Sequence, residues 1–188
     1  MIDENAFGLL IAYLNIEDDE YVGEREQFVA RYQGFSTRLR ARLRDQPPSD
    51  SARAIELGHA LYVELIEGEN ECDLIAWLRA TRAELTEAGY LTAGILTYGS
   101  SWYEIGQPHP VVTDIGTSKL VNASGPSEPL RRAICADAAS RGDEDAGAPG
   151  WGPGLYLDTD AVDALGRKPK NQPTILRAGG AEFYRAGS

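Results

Sequence analysis

Apolar positions in the first half of the chain fall mostly at helical spacing. Phe28, Tyr32, Phe35, Leu39 and Leu43 follow steps of 4, 3, 4 and 4, one stripe of a helix predicted from about Glu20 to Arg44 and ended by Pro47 and Pro48. The competing strand over Arg38 to Arg44, which alternates basic and apolar residues, yields because the apolar stripe begins upstream at helical spacing. Asp50 or Ser51 can cap a second helix carrying Ile55, Leu61, Tyr62, Leu65 and Ile66, closed near Gly68. Asp73 can cap a third, with Leu74, Trp77, Leu78 and Leu85 inward and Gly89 just past its end.

After Gly89 the period turns toward two. Leu91 to Tyr98 reads as a strand that continues through a Gly99, Ser100, Ser101 irregularity into Trp102, Tyr103 and Ile105. Val111 to Ile115 and Ser118 to Asn122 flank Gly116 and Thr117, which suit a two-residue hairpin turn. Pro126 to Arg141 returns to helix: Ser127 offers a cap, Pro129 falls in the permissive first turn, Leu130, Ala133, Ile134 and Ala138 line one face, and Gly142 closes it. Gly142 to Gly154, rich in glycine and proline, is predicted to be a loop without helix or ladder. Leu155 to Asp158 is a short strand, Thr159 to Leu165 a capped helical turn, and Thr174 to Tyr184 a hairpin about Gly179 and Gly180.

Helices first and strands later predict an α+β fold, an N-terminal helical half packed on a mainly antiparallel sheet with one or two further helices. The 188 residues suit a single domain over 1–188; the alternative division is a helical lobe over 1–89 and a sheet-containing lobe over 90–188. A content of 43% hydrophobic and 25% charged residues supplies a core and excludes global disorder.

Charge narrows the range of partners. Eighteen Lys and Arg against 29 Asp and Glu leave a net charge of −11, so direct nucleic-acid binding is not expected. The charge is also segregated: residues 1–24 hold seven acids and no base, 25–53 seven arginines against three acids, and 54–90 eight acids against Arg79 and Arg82. Residues 167–188 are basic again. Such blocks pair internally or meet complementary patches on a partner. Cys72 and Cys135 are too few for a disulfide framework and lack zinc-knuckle spacing; they suit a reducing compartment, and a cytoplasmic location is expected. The apolar run Phe7 to Leu14 has an acidic flank and falls short of a span, so neither a signal peptide nor a membrane partner is expected.

Candidate chemistry is sparse. Ser100 or Ser101, His109 and Asp114 can be assembled into a catalytic arrangement within one stretch, but no Gly-x-Ser-x-Gly elbow supports it, and a turn with solvent-facing hydroxyls explains the serines as well. His59, placed in the second predicted helix, reads as a satisfied helix residue. Cys72 before a helix N-terminus could pair with His59 or His109, against a buried structural thiol as the simpler reading. Asp158, Asp160 and Asp163 have a layout that can hold a divalent cation, yet capping and surface charge account for them, so no metal site is assigned. The Gly147 to Gly154 loop has no lysine and leads into a strand, unlike a phosphate cradle, and no cofactor is expected. Trp151, Trp102 and Tyr103 are the candidate binding residues, being aromatics of the kind that anchor interfaces. Trp151 in its glycine-rich loop needs a cover, from this chain's own sheet or from a partner.

The sequence thus points to an acidic cytosolic protein-binding protein, an accessory subunit or an inhibitor or immunity-type partner of a basic protein, without catalysis of its own. The alternative is a small hydrolase or transferase with a site where the helical half meets the sheet. Whether the chain is an enzyme, and its oligomeric state, stay open at this level.

Overall fold

The computed structural model describes residues 2–15, 25–50, 52–68, 72–103, 127–143, 148–167 and 174–186, with the side chains of 2, 3, 102, 103, 143 and 148 not described. The first element is a strand, β1 (Ile2–Tyr13). Then come α1 (Arg25–Asp45), β2 (Arg53–Glu56), β3 (Ala60–Ile66), α2 (Leu74–Glu87) and β4 (Thr92–Tyr103). The second half holds α3 (Glu128–Arg141), the two-residue strands β5 (Gly142–Asp143) and β6 (Ala148–Pro149), β7 (Gly154–Asp158), α4 (Thr159–Ala164), β8 (Ile175–Ala178) and β9 (Ala181–Ala186).

Seven strands form one sheet in the order β2-β3-β1-β4-β7-β9-β8, every pair antiparallel except β4 and β7. Its first four members and the helices between them make a βαββαβ unit. The fold is α+β and the sheet mostly antiparallel, as the sequence predicts, but there is no helical N-terminal half: residues before Gly89 supply three of the strands.

The predicted second helix is the β2–β3 hairpin instead. Five of the seven β3 residues are aliphatic or alanine, and all but Ile66 are buried, because helices cover both faces of the sheet. A strand buried on both faces shows no alternation, so apolar spacing alone cannot separate it from a helix. The hairpin turns at Gly58, whose φ of 69° lies in the left-handed region that glycine adopts without strain. β1 was hidden the same way. Its alternate side chains enter different cores: Phe7, Leu9, Ile11 and Tyr13 pack with α1, α2 and α4, while Leu10 and Ala12 pack with α3.

The other elements follow their local signals. Phe35 and Leu39 of the predicted stripe are the buried residues of α1. Asp73 caps α2 through the amides of Ile75 and Ala76, and Ser127 caps α3, which Gly142 closes. The Gly142 to Gly154 segment departs from its predicted form, since β5 and β6 make a minimal ladder. The predicted hairpin over 111–122 lies outside the described residues.

Candidate functional site

At one end of the sheet, β1 and β9 finish and β3, β4 and β7 begin. Backbone bonds knit it together, with the Tyr13 amide donating to the His59 carbonyl at 2.8 Å. His59 follows Gly58 in the β2–β3 turn, so the hairpin geometry delivers its imidazole beside the last turn of α3. There Nε2 of His59 lies 2.6 Å from Oδ2 of Asp137. Asp137 and Arg141 are one helical turn apart; Arg141 Nη2 donates to Asp137 Oδ1 at 3.2 Å and to the Tyr13 carbonyl at 2.9 Å. The Asp137 side chain is 11% exposed and that of His59 31%.

This arrangement has a definite chemistry. A carboxylate oxygen accepts, so the bond to Asp137 places a proton on His59 Nε2 and leaves Nδ1 as the neutral ring's acceptor. Asp137 fixes the tautomer and the ring orientation, and its other oxygen is held by the Arg141 guanidinium. Divalent cations are generally held by several converging carboxylates or imidazoles. Among the described residues no group of three or more His, Cys, Asp or Glu converges, and Asp137 has one oxygen on His59 and the other on Arg141. These side chains do not form a cation site.

Two more polar clusters stand at the other end of the sheet. Glu64, 2% exposed, accepts from the hydroxyls of Tyr62, Ser101 and Ser127 at 2.5, 2.8 and 2.7 Å. Asp158 is fully buried; its Oδ1 accepts the Asp160 amide and its Oδ2 takes Arg132 Nη1 at 2.7 Å. Burial pushes the Asp158 carboxyl above its usual range, with Arg132 pulling the other way. Arg132 also binds Asp160 and Glu128. Asp158 and Asp160 therefore serve as cap and ion-pair members, and Asp163 is exposed.

The other predicted site residues are placed as follows. Ser101 is buried with its hydroxyl committed to Glu64, and Ser100 pairs with Asn5 in the ladder. His109 and Asp114 lie outside the described residues, as do the side chains of Trp102 and Tyr103. Trp151 is half-buried against this chain's own sheet, its ring 5.1 Å from that of Tyr156 and 5.7 Å from that of Phe183. Cys72 directs its thiol to the Pro48 carbonyl, and neither it nor Cys135 is in a disulfide. Sequence reasoning passed over Asp137 and Arg141, whose i,i+4 spacing on a well-capped helix was the available signal. It misplaced His59 because the hairpin was read as helix.

No family model and no curated protein sequence matches the chain. Solved structures do. The guanylate cyclase domain of RhGC from Catenaria anguillulae, in complex with GTP, is 10% identical with a TM-score of 0.57, covering 99% of this chain and 100% of that one. The fold is that of nucleotide cyclase catalytic domains. The guanylyl cyclase Cya2 gives a TM-score of 0.53 at 9% identity over 98% of this chain and 92% of its own. The non-canonical dimeric guanylyl cyclase domain of the RhoGC fusion protein from the aquatic fungus Blastocladiella emersonii gives 0.52 at 10% identity, over 97% and 94%.

These likenesses overturn the expectation of a non-catalytic, acidic protein-binding module, which rested on missing motifs. The hydrolase or transferase alternative loses its location as well, since no helical half exists to form a junction with the sheet. With one of the similar domains dimeric, a protein partner accords with the fold, whereas a basic partner gains no support from it. No helix among the described residues is long and apolar enough to cross a membrane.

Proposed function

We propose that the chain is a nucleotide cyclase-type domain that takes a purine nucleoside triphosphate and closes it to a cyclic monophosphate. The observation that carries this reading is the fold likeness, which runs through nearly the full length of both chains and includes a domain bound to GTP. Cyclisation joins the ribose 3′ oxygen to the α-phosphorus, breaks the bond to the β-phosphate oxygen and releases pyrophosphate. It needs a proton acceptor for the hydroxyl and positive charge beside the phosphates. His59, oriented by Asp137, supplies the acceptor at Nδ1, and Arg141 the charge. A second copy of the chain is the partner this reading favours, and two cysteines outside any disulfide support a cytoplasmic location.

Incubation of the purified chain with GTP or ATP, followed by chromatography, tests it. Cyclic nucleotide and pyrophosphate in equal amounts are expected, with His59→Gln lowering the rate at least about 100-fold, the scale of a lost general base. Triphosphate that stays intact, or a rate that His59→Gln leaves alone, contradicts the proposal.

A further inference from the structure

Arg82 of α2 and Arg185 of β9 meet beside the start of β7, at a cleft of about 260 Å³ that Gly154, Leu155 and Thr174 also line. Two guanidinium groups sharing one cleft repel each other unless acids answer them. Among the described residues none does. Arg82 Nε donates to the Thr92 carbonyl at 3.2 Å, and Arg185 Nη2 to the Pro153 carbonyl at 3.1 Å; neither group meets a carboxylate of a described residue. Each bond uses one of the five donors of its guanidinium.

Both groups are held in place before any ligand arrives. Arg82 threads past Gly94, where a Cβ would stand 2.6 Å from its Cδ, and Arg185 lies over the Tyr156 ring at 5.9 Å. Burial holds the Arg82 guanidinium below its usual range, a pull that Tyr156 opposes and the neighbouring Arg185 adds to. A bound anion would relieve that repulsion. The space is below the roughly 300–1,000 Å³ of pockets that enclose a whole drug-sized ligand, so it suits a charged group more than a nucleoside. Planar forks with spare parallel donors match phosphate oxygens in pairs.

We infer that the Arg82–Arg185 cleft is a binding site for a small phosphate-type anion, inorganic phosphate or pyrophosphate. It shares no residue with His59, Asp137 and Arg141 and holds whether or not the chain cyclises a nucleotide.

Calorimetric titration of the full chain with inorganic phosphate and with pyrophosphate, at constant ionic strength set by chloride, is the test. Saturable binding is expected, weakened about tenfold or more in Arg82→Met and in Arg185→Met, the scale of one lost charge-assisted pair. Arg177→Met, which removes the same charge from an exposed arginine paired with Glu182, should leave binding as it was. Methionine keeps most of the apolar stem, and Arg185, being exposed, offers a variant that folds even where Arg82→Met does not. Lack of saturation by either anion, or equal affinity in Arg185→Met and the parent chain, would overturn the site.

Discussion

Asp73 shows how much one side chain can settle. It caps α2, and its Oδ2 also takes the Arg167 guanidinium, tying the helix start to the residues after α4. Burial raises its carboxyl, but Arg167 and the two helix amides outweigh that and hold it below the ordinary range. Asp73→Ala should cost about 1 kcal/mol in denaturant unfolding, the usual value of a cap. Asp73→Asn still caps and loses only the ion pair. A carboxyl held low in the folded state adds stability above its unfolded value and loses it as the pH falls through the folded one. The gap between the parent chain and Asp73→Asn should therefore close on acidification, measured by chemical unfolding from pH 7 downward. Glu64 carries a heavier role. Glu64→Ala would remove the buried carboxylate that the Tyr62, Ser101 and Ser127 hydroxyls share and should destabilise by about 3 kcal/mol. Its dependence on Ser101 and Ser127, distant in sequence, is why no reading of the chain alone could find it.

Elements with punctuation at both ends were legible: α2 between Asp73 and Gly89, α3 between Ser127 and Gly142, and the hairpin about Gly179 and Gly180. β1 and β3 were not, because the helices on both faces bury their side chains and erase the period-two signal, and β2, four residues at the sheet edge with Ile55 alone buried, is too short to show one. The misreading spread to function, since it moved His59 from a turn into a helix. The segment after α3 was legible in composition but not in form. Trp151 donates its amide to the Ala139 carbonyl, and a Cβ on Gly150 would stand 2.5 Å from the Arg141 carbonyl carbon and oxygen. The segment is thus docked on the end of α3, and glycine is required for that approach. Trp151→Ala should lower stability by about 2 kcal/mol, because the indole that packs on Tyr156 and Phe183 is gone and a void remains. Gly150→Ala should cost at least as much, by forcing the segment away from the helix that carries Asp137 and Arg141. Thermal unfolding of the two variants checks both.

At the scale of the whole molecule, the acidic total misled. A charge of −11 says little about any one surface, and His59 and Arg141 meet on Asp137 only because the β2–β3 turn and the end of α3, far apart in sequence, are neighbours in the fold. Strand order is set by such long-range pairs, with β1 between β3 and β4, and no local pattern encodes it. The fold class could be read from the chain; the likeness to nucleotide cyclase domains required the topology. At 9–10% identity that likeness is one of shape, and the chemistry has to come from this chain's own residues. The most direct check is equilibrium binding of GTP and ATP to the purified chain, followed by calorimetry with and without His59→Gln and Arg141→Met. Saturable binding of at least one triphosphate, about tenfold weaker in Arg141→Met, is the predicted result. Binding of neither nucleotide at millimolar concentration by a chain that unfolds cooperatively would contradict the account.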